Sequence, residues 1–158
     1  TLLYADSSQA GTSSGNEVSA LPEYKQDGLT FKTKIVILYK HNSNNQNLSL
    51  SFLGKCDDDT ADSGEEPQVR LGHLPVSSSL GSTFVSTPTS ANFSNSVTQT
   101  LALSTSYSEY TKTMKMVGTV ALTDGDLYEI HVQLRGGDDG GDLIRGQITG
   151  VVLTATGT

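Results

Sequence analysis

The chain has a single cysteine, Cys56, and no tryptophan. One thiol excludes an intrachain disulfide and any thiolate metal cluster built from one copy, so an apolar core has to hold the domain. At 158 residues the chain is long enough for one domain with such a core. Cations are few: ten lysines and arginines against 17 acids leave a formal charge of −7. The ten are scattered, with no basic run and no aromatic-basic interleaving, which argues against a nucleic-acid partner. No stretch approaches the roughly twenty apolar residues that span a bilayer, so no membrane segment is expected. The opening Thr1-Leu2-Leu3-Tyr4-Ala5-Asp6 lacks the basic and apolar regions of a signal peptide. An initial threonine fits removal of an initiator methionine, which makes a complete small protein synthesised in a cytoplasm the expectation.

What is present points to strands. Serine and threonine make up about a quarter of the chain, and leucine, valine and isoleucine supply most of the apolar residues, a mixture that suits half-buried pleated surfaces. Residues 6–15 are rich in Ser, Gly and Thr without periodicity and read as flexible, so residues 1–15 are taken as an N-terminal arm and 16–158 as one domain. Residues 17–25 alternate Val18 and Ala20 with polar residues until Pro22, the pattern of an edge or bent strand. From Gly28, Leu29, Phe31, Thr33, Ile35, Ile37 and Tyr39 fall on one face, expected to be core. The other face is polar early and apolar at Val36 and Leu38, which should contact another chain or lie under a loop.

Residues 42–47, Asn-Ser-Asn-Asn-Gln-Asn, carry turn chemistry, because asparagine tolerates left-handed backbone angles and caps its own turn. Leu48, Leu50 and Phe52 then return as the inner face of what reads as the second arm of a hairpin. Val69 and Leu71, residues 97–103 and residues 110–122 give further strands, the last with Met114, Met116, Val120 and Leu122 on one face. Tyr128, Ile130, Val132 and Leu134 alternate with Glu129, His131, Gln133 and Arg135 in the clearest half-buried strand of the chain. The turn before it is Thr123-Asp124-Gly125-Asp126. Residues 136–142 read as a loop and residues 143–155 as the final strand, with Gly146 and Gly150 inside it. Long and short connections alternate among about eight antiparallel strands, so the expected fold is an all-β jelly-roll sandwich.

No pattern in the chain assembles a reaction centre. Gly11-Thr12-Ser13-Ser14-Gly15 matches the spacing of a nucleophile elbow but lacks the strand before it and the helix after it. His41, His73 and His131 lie on separate elements, and His131 is expected to face outward. Residues 57–66 hold six acids and no base. Read as a calcium loop from Asp59, they place Gly64 correctly but put Arg70 where a closing glutamate belongs. Asp138, Asp139 and Asp142 sit in ordinary glycine-turn composition. No metal and no cofactor is therefore expected. Tyr107 and Tyr110 are the closely spaced loop aromatics, the residue type that sugar sites use.

Three segments together carry a family likeness. Leu3-Tyr4-Ala5-Asp6 leads into a Ser/Thr/Gly stretch, the asparagine turn leads into Leu48-Ser49-Leu50-Ser51-Phe52-Leu53-Gly54, and Ile148-Thr149-Gly150-Val151-Val152-Leu153 lies near the end. In these the chain resembles small jelly-roll virion modules of tailed bacteriophages, which share the tumour-necrosis-factor and C1q fold. The acidic residues 57–66 and the Lys25-Gln26-Asp27-Gly28 turn depart from that pattern. The resemblance implies a homotrimeric structural protein without catalytic residues, made in the host cytoplasm. It would decorate the outer capsid surface and bind the major capsid protein. Leu2, Leu3 and Tyr4 in the arm, with Val36 and Leu38, are the expected interface residues. The other expectation is a tail or fibre module that binds a host glycan.

Overall fold

The computed structural model describes residues 2–5, 22–45, 47–58, 65–76, 93–115 and 122–157. Among them are eleven strands and no helix: β1 (Leu2–Ala5), β2 (Glu23–Gln26), β3 (Lys32–Lys40), β4 (Asn47–Cys56), β5 (Gln68–Pro75), β6 (Phe93–Thr100), β7 (Ser108–Lys115), β8 (Leu127–Arg135), β9 (Gly137–Asp139), β10 (Asp142–Ile144) and β11 (Gly146–Thr156). One sheet has the order β1-β3-β8-β5-β6, a second has β2-β11-β4-β7, and β9 and β10 form a small hairpin.

Strands β2 to β8 and β11 pair in a nested fashion: β5 with β6, β4 with β7, β3 with β8 and β2 with β11, all antiparallel. A single long hairpin folded over itself gives this nesting, and folding brings β5 beside β8 and β11 beside β4. The result is an eight-stranded jelly roll with β1 added at one edge, as the strand count and connection lengths lead one to expect.

Side-chain alternation fills the space between the sheets. Leu48, Leu50 and Phe52 from β4, Ile130, Val132 and Leu134 from β8, and Val69 and Leu71 from β5 are buried in one cluster with Ile144 and Ile148. Cys56 is buried in it, and burial pushes its thiol above the ordinary range.

Three sequence expectations change in the folded chain. First, β3 and β4 lie in different sheets, so the asparagine turn is a crossover rather than a hairpin loop. Its local chemistry is still that of asparagine: the Asn44 amide donates to Asn42 Oδ1 at 2.9 Å and the Asn45 amide to the Asn42 carbonyl at 2.8 Å. Second, a bulge separates Thr33 from Ile35 in the β3–β8 register. One extra residue, Lys34, reverses the alternation, so Ile35, Ile37 and Tyr39 face the core while Phe31 and Thr33 lie on the outer face. Third, residues 137–139 and 142–144 pair as β9 and β10 instead of forming a loop, turning through Gly140 and Gly141 at φ of 62° and 118°.

Of the N-terminal arm, Leu2–Ala5 is β1 and pairs antiparallel with β3, Leu2 opposite Ile37 and Ala5 opposite Ile35. Residues 6–15, with the Gly-x-Ser-x-Gly pattern, lie outside the described residues. So do Val18, Ala20, Met116 and Val120.

Candidate functional site

Three surfaces of the sandwich carry the candidate residues. The first is a cleft of about 690 Å³ between the sheets, where β11 beyond Gly150 faces β3. Gly150 has φ of 61°, and the register of β11 against β4 shifts between Thr149 and Val152. Past this bulge Leu153 and Ala155 face inward opposite Leu50 and Leu48. Tyr24, Ile37, Leu38, Leu48, Val151 and Leu153 are among the lining residues, and none of the described lining residues is charged. Val36 is fully buried within the chain, whereas Leu38, opposite Glu129 in register and so on the outer side of β3, is half-buried at the rim of this cleft.

The second surface is the outer face of the five-stranded sheet. Here the expectation for His131 is corrected: it points outward, yet it is buried, together with Val36, Glu129 and Gln133. Alternation sets which way a side chain points, but not whether something covers it. A polar chain runs across this face. Arg70 Nε donates to Gln133 Oε1 at 2.8 Å, Gln133 Nε2 donates to Thr33 Oγ1 at 3.0 Å, and Thr33 Oγ1 bonds His131 Nδ1 at 3.1 Å. Phe31, turned outward by the bulge, lies under the guanidinium of Arg70 at 3.9 Å. His131 Nε2 has no hydrogen-bond partner and stands 3.8 Å from Glu129 Oε1.

Burial pushes His131 below the ordinary imidazole value of 6.5, and Glu129 offsets only part of that. Burial likewise lowers His73, whose Nδ1 is unpaired beside the Tyr128 ring. Both groups bind a proton more readily in the unfolded chain, so the unfolded state gains protons first as pH falls through 6.5. The stability of the fold is therefore expected to decline from pH 7 to pH 5. His131→Gln, which keeps a polar side chain that cannot protonate, should make the decline shallower. Urea midpoints at the two pH values check this; equal slopes for the two proteins would refute it.

The third surface is the outer face of the four-stranded sheet. Its upper part is paved with hydroxyls, Ser49 to Thr113 at 2.9 Å and Ser51 to Thr111 at 3.1 Å. Its lower part is held by Tyr107, in the segment before β7. The Tyr107 hydroxyl donates to Glu23 Oε2 at 2.8 Å, Lys25 Nζ lies 2.9 Å from Glu23 Oε1, and Lys55 Nζ sits 4.7 Å from the Tyr107 ring centroid. Burial raises the Glu23 carboxyl, but the Lys25 and Tyr107 hydrogen bonds outweigh it and hold the group below its ordinary range. Burial and that carboxylate together push the Tyr107 phenol up. The paired loop tyrosines thus part company: Tyr110 turns inward and stacks on Phe52, with ring centroids 5.4 Å apart.

The acidic stretch is partly described. Asp57 Oδ1 accepts the Arg145 backbone amide at 2.7 Å, and Glu65 Oε2 accepts from Arg135 Nη1 at 2.6 Å. Asp138 Oδ1 accepts the Gly141 amide at 2.9 Å, a turn role. Residues 59–64 lie outside the described residues, and among the described residues no three His, Cys, Asp or Glu side chains are grouped as metal ligands.

The class these observations define is an all-β jelly-roll sandwich. No family model matches the chain, and no curated protein matches it. Among solved structures it is similar to one described as "CBM4 structure and function", at 10% identity and a TM-score of 0.42, over 85% of this chain and 87% of that one. The jelly-roll assignment rests on the strand order, and a likeness at that score adds nothing about function.

Proposed function

We propose that this chain is a structural virion protein that works by contact rather than by chemistry. It would be a homotrimeric decoration protein on the outer surface of a phage head, bound to the major capsid protein. The reading is supported by the resemblance of its sequence to phage jelly-roll modules, and the observation that carries it is the uncharged cleft between β3 and β11. On a protein with a formal charge of −7, copies repel one another wherever acids face each other. An apolar mouth without charged lining is where subunits can meet at no Coulombic cost. Of the expected interface residues, Leu38 stands at this cleft, and β1, which contains Leu2, Leu3 and Tyr4, lies along the same β3 strand. A partner that binds only the assembled shell stabilises it by mass action, and symmetry multiplies modest contacts.

Sedimentation equilibrium of the purified chain at micromolar concentration should give three times the monomer mass, and Leu38→Lys should shift it toward monomer. Added to undecorated capsids, the chain should bind them and raise their rupture temperature. A monomeric mass together with no capsid binding would overturn the reading. The other expectation, a tail or fibre module that binds glycans, is favoured by a different observation, the arrangement around Tyr107.

A further inference from the structure

Large apolar side chains that remain exposed are not spread evenly over the sandwich. Leu29, Leu53, Tyr107, Leu143 and Val152 are the exposed ones among the described residues, and three of these five share the outer face of the four-stranded sheet. Leu53 and Val152 stand on it by register, since Leu53 pairs with Thr149 and Val152 with Ser51, on the side opposite Leu50 and Ile148. Tyr107 joins them through its contacts to Glu23 and Lys55.

The ring of Tyr107 is held in place rather than free to rotate. Glu23 is on β2 and Lys55 on β4, with β11 between them. Strands lie about 4.8 Å apart, so a side chain that touches both lies across the sheet face instead of standing off it. On the same face, Gln147 occupies the position between Lys25 and Lys55 in register. Gln147 is 7% exposed, and its side-chain amide is not among the buried groups left without a hydrogen bond, so the amide is open to solvent at this face. Here the amide, the Glu23 carboxylate and two ammonium groups surround a fixed aromatic ring that is 37% exposed.

The geometry points to a carbohydrate-binding platform at Tyr107. A pyranose ring has an apolar face of C–H bonds and a rim of hydroxyls. The face packs on the tyrosine ring, and the rim hydroxyls pair with the Gln147 amide, the Glu23 carboxylate and the Lys25 ammonium. The hydroxyl ladder and the exposed Leu53 continue the surface beyond the first sugar, so an oligosaccharide gains contacts over a monosaccharide. The inference goes beyond the decoration reading and does not depend on it, because the platform is complete within one chain.

The test is a glycan array with two arms, neutral hexose oligosaccharides and oligosaccharides ending in carboxylated sugars. It is followed by calorimetric titration of the strongest oligosaccharide against the full chain and its variants. Binding to either arm is expected, with Tyr107→Ala weakening it roughly tenfold or more and Gln147→Ala roughly threefold to tenfold. Tyr107→Phe, which keeps the ring, should stay within about threefold. Thermal melts of the variants establish that each is folded. No binding in either arm, or binding unchanged in both Tyr107→Ala and Gln147→Ala, would overturn the inference. A monomeric mass with retained sugar binding would remove the decoration reading and keep this one.

Discussion

Phe52→Ala should destabilise the protein by about 3–5 kcal/mol, lowering its melting temperature by on the order of 10 °C. Phe52 is among the largest fully buried side chains and lies directly opposite Tyr110 in the β4–β7 register. The two rings stack at an interplanar angle of 19°. Truncation removes both the transfer free energy of the ring and the surface against which Tyr110 rests. Tyr110 in turn accepts the Ala102 amide at 2.8 Å, so its position fixes the chain between β6 and β7. Phe52→Leu retains most of the volume and should cost less than half as much. Urea unfolding of the three proteins measures the difference; a loss below about 1 kcal/mol for the alanine variant would mean that the cavity collapses around it.

Gly136→Ala is expected to cost about 2–4 kcal/mol, although it adds one methyl group. A Cβ at this position would stand 2.1 Å from the Asp27 carbonyl oxygen and 2.8 Å from that of Ile144. Both obstacles are backbone, so neither can rotate away. The Gly136 amide also donates to the Gly28 carbonyl at 2.8 Å, which ties the end of β8 to the turn after β2. Relief of the clash would pull that tie apart. Gly140→Ala is the control: its φ of 62° disfavours a side chain, but nothing lies within 4 Å of its Cβ position. It should cost only about 1 kcal/mol, the left-handed backbone term alone. If the two variants lose equal stability, close packing at Gly136 is not what requires glycine there.

How far the fold could be read from residues differs from strand to strand. In β8 the pattern was complete, because Tyr128, Ile130, Val132 and Leu134 face one uninterrupted core and no bulge breaks the period. In β3 the same reasoning placed Phe31 and Thr33 inward. The bulge at Lys34 leaves no mark in composition, since it arises from the register with β8, a strand almost a hundred residues away. The asparagine turn was recognised as a turn, yet its hairpin was a wrong partner: turn chemistry is local, whereas the choice of sheet is made by the whole nested ribbon. His131 shows the same limit, as its outward direction followed from alternation and its burial did not.

The candidate surfaces divide in a similar way. Tyr107 was visible as one of two loop aromatics, and only packing separated it from Tyr110. Gln147 gave no signal, because an outward glutamine in a strand is common and only the pairing of β2, β11 and β4 sets it between Lys25 and Lys55. The cleft is made by β11 past its bulge: Gly146 and Gly150 marked that strand as one that bends, and Gly150, at φ of 61°, is where the register shifts, but which strand it would then face was not readable from spacing.

By itself, the sequence determined that this is a single-thiol, acidic, all-β chain built on alternation, with its core supplied by leucine, isoleucine and valine and its turns by asparagine and glycine. Those properties depend on residue type and on spacing of a few residues, which local sterics and hydrophobicity decide. The tertiary structure alone decided the partners: which strands share a sheet, which outward residues are covered, and which aromatic reaches the surface. Each of these depends on groups brought together from distant parts of the chain, at distances of a few ångströms that no local pattern encodes.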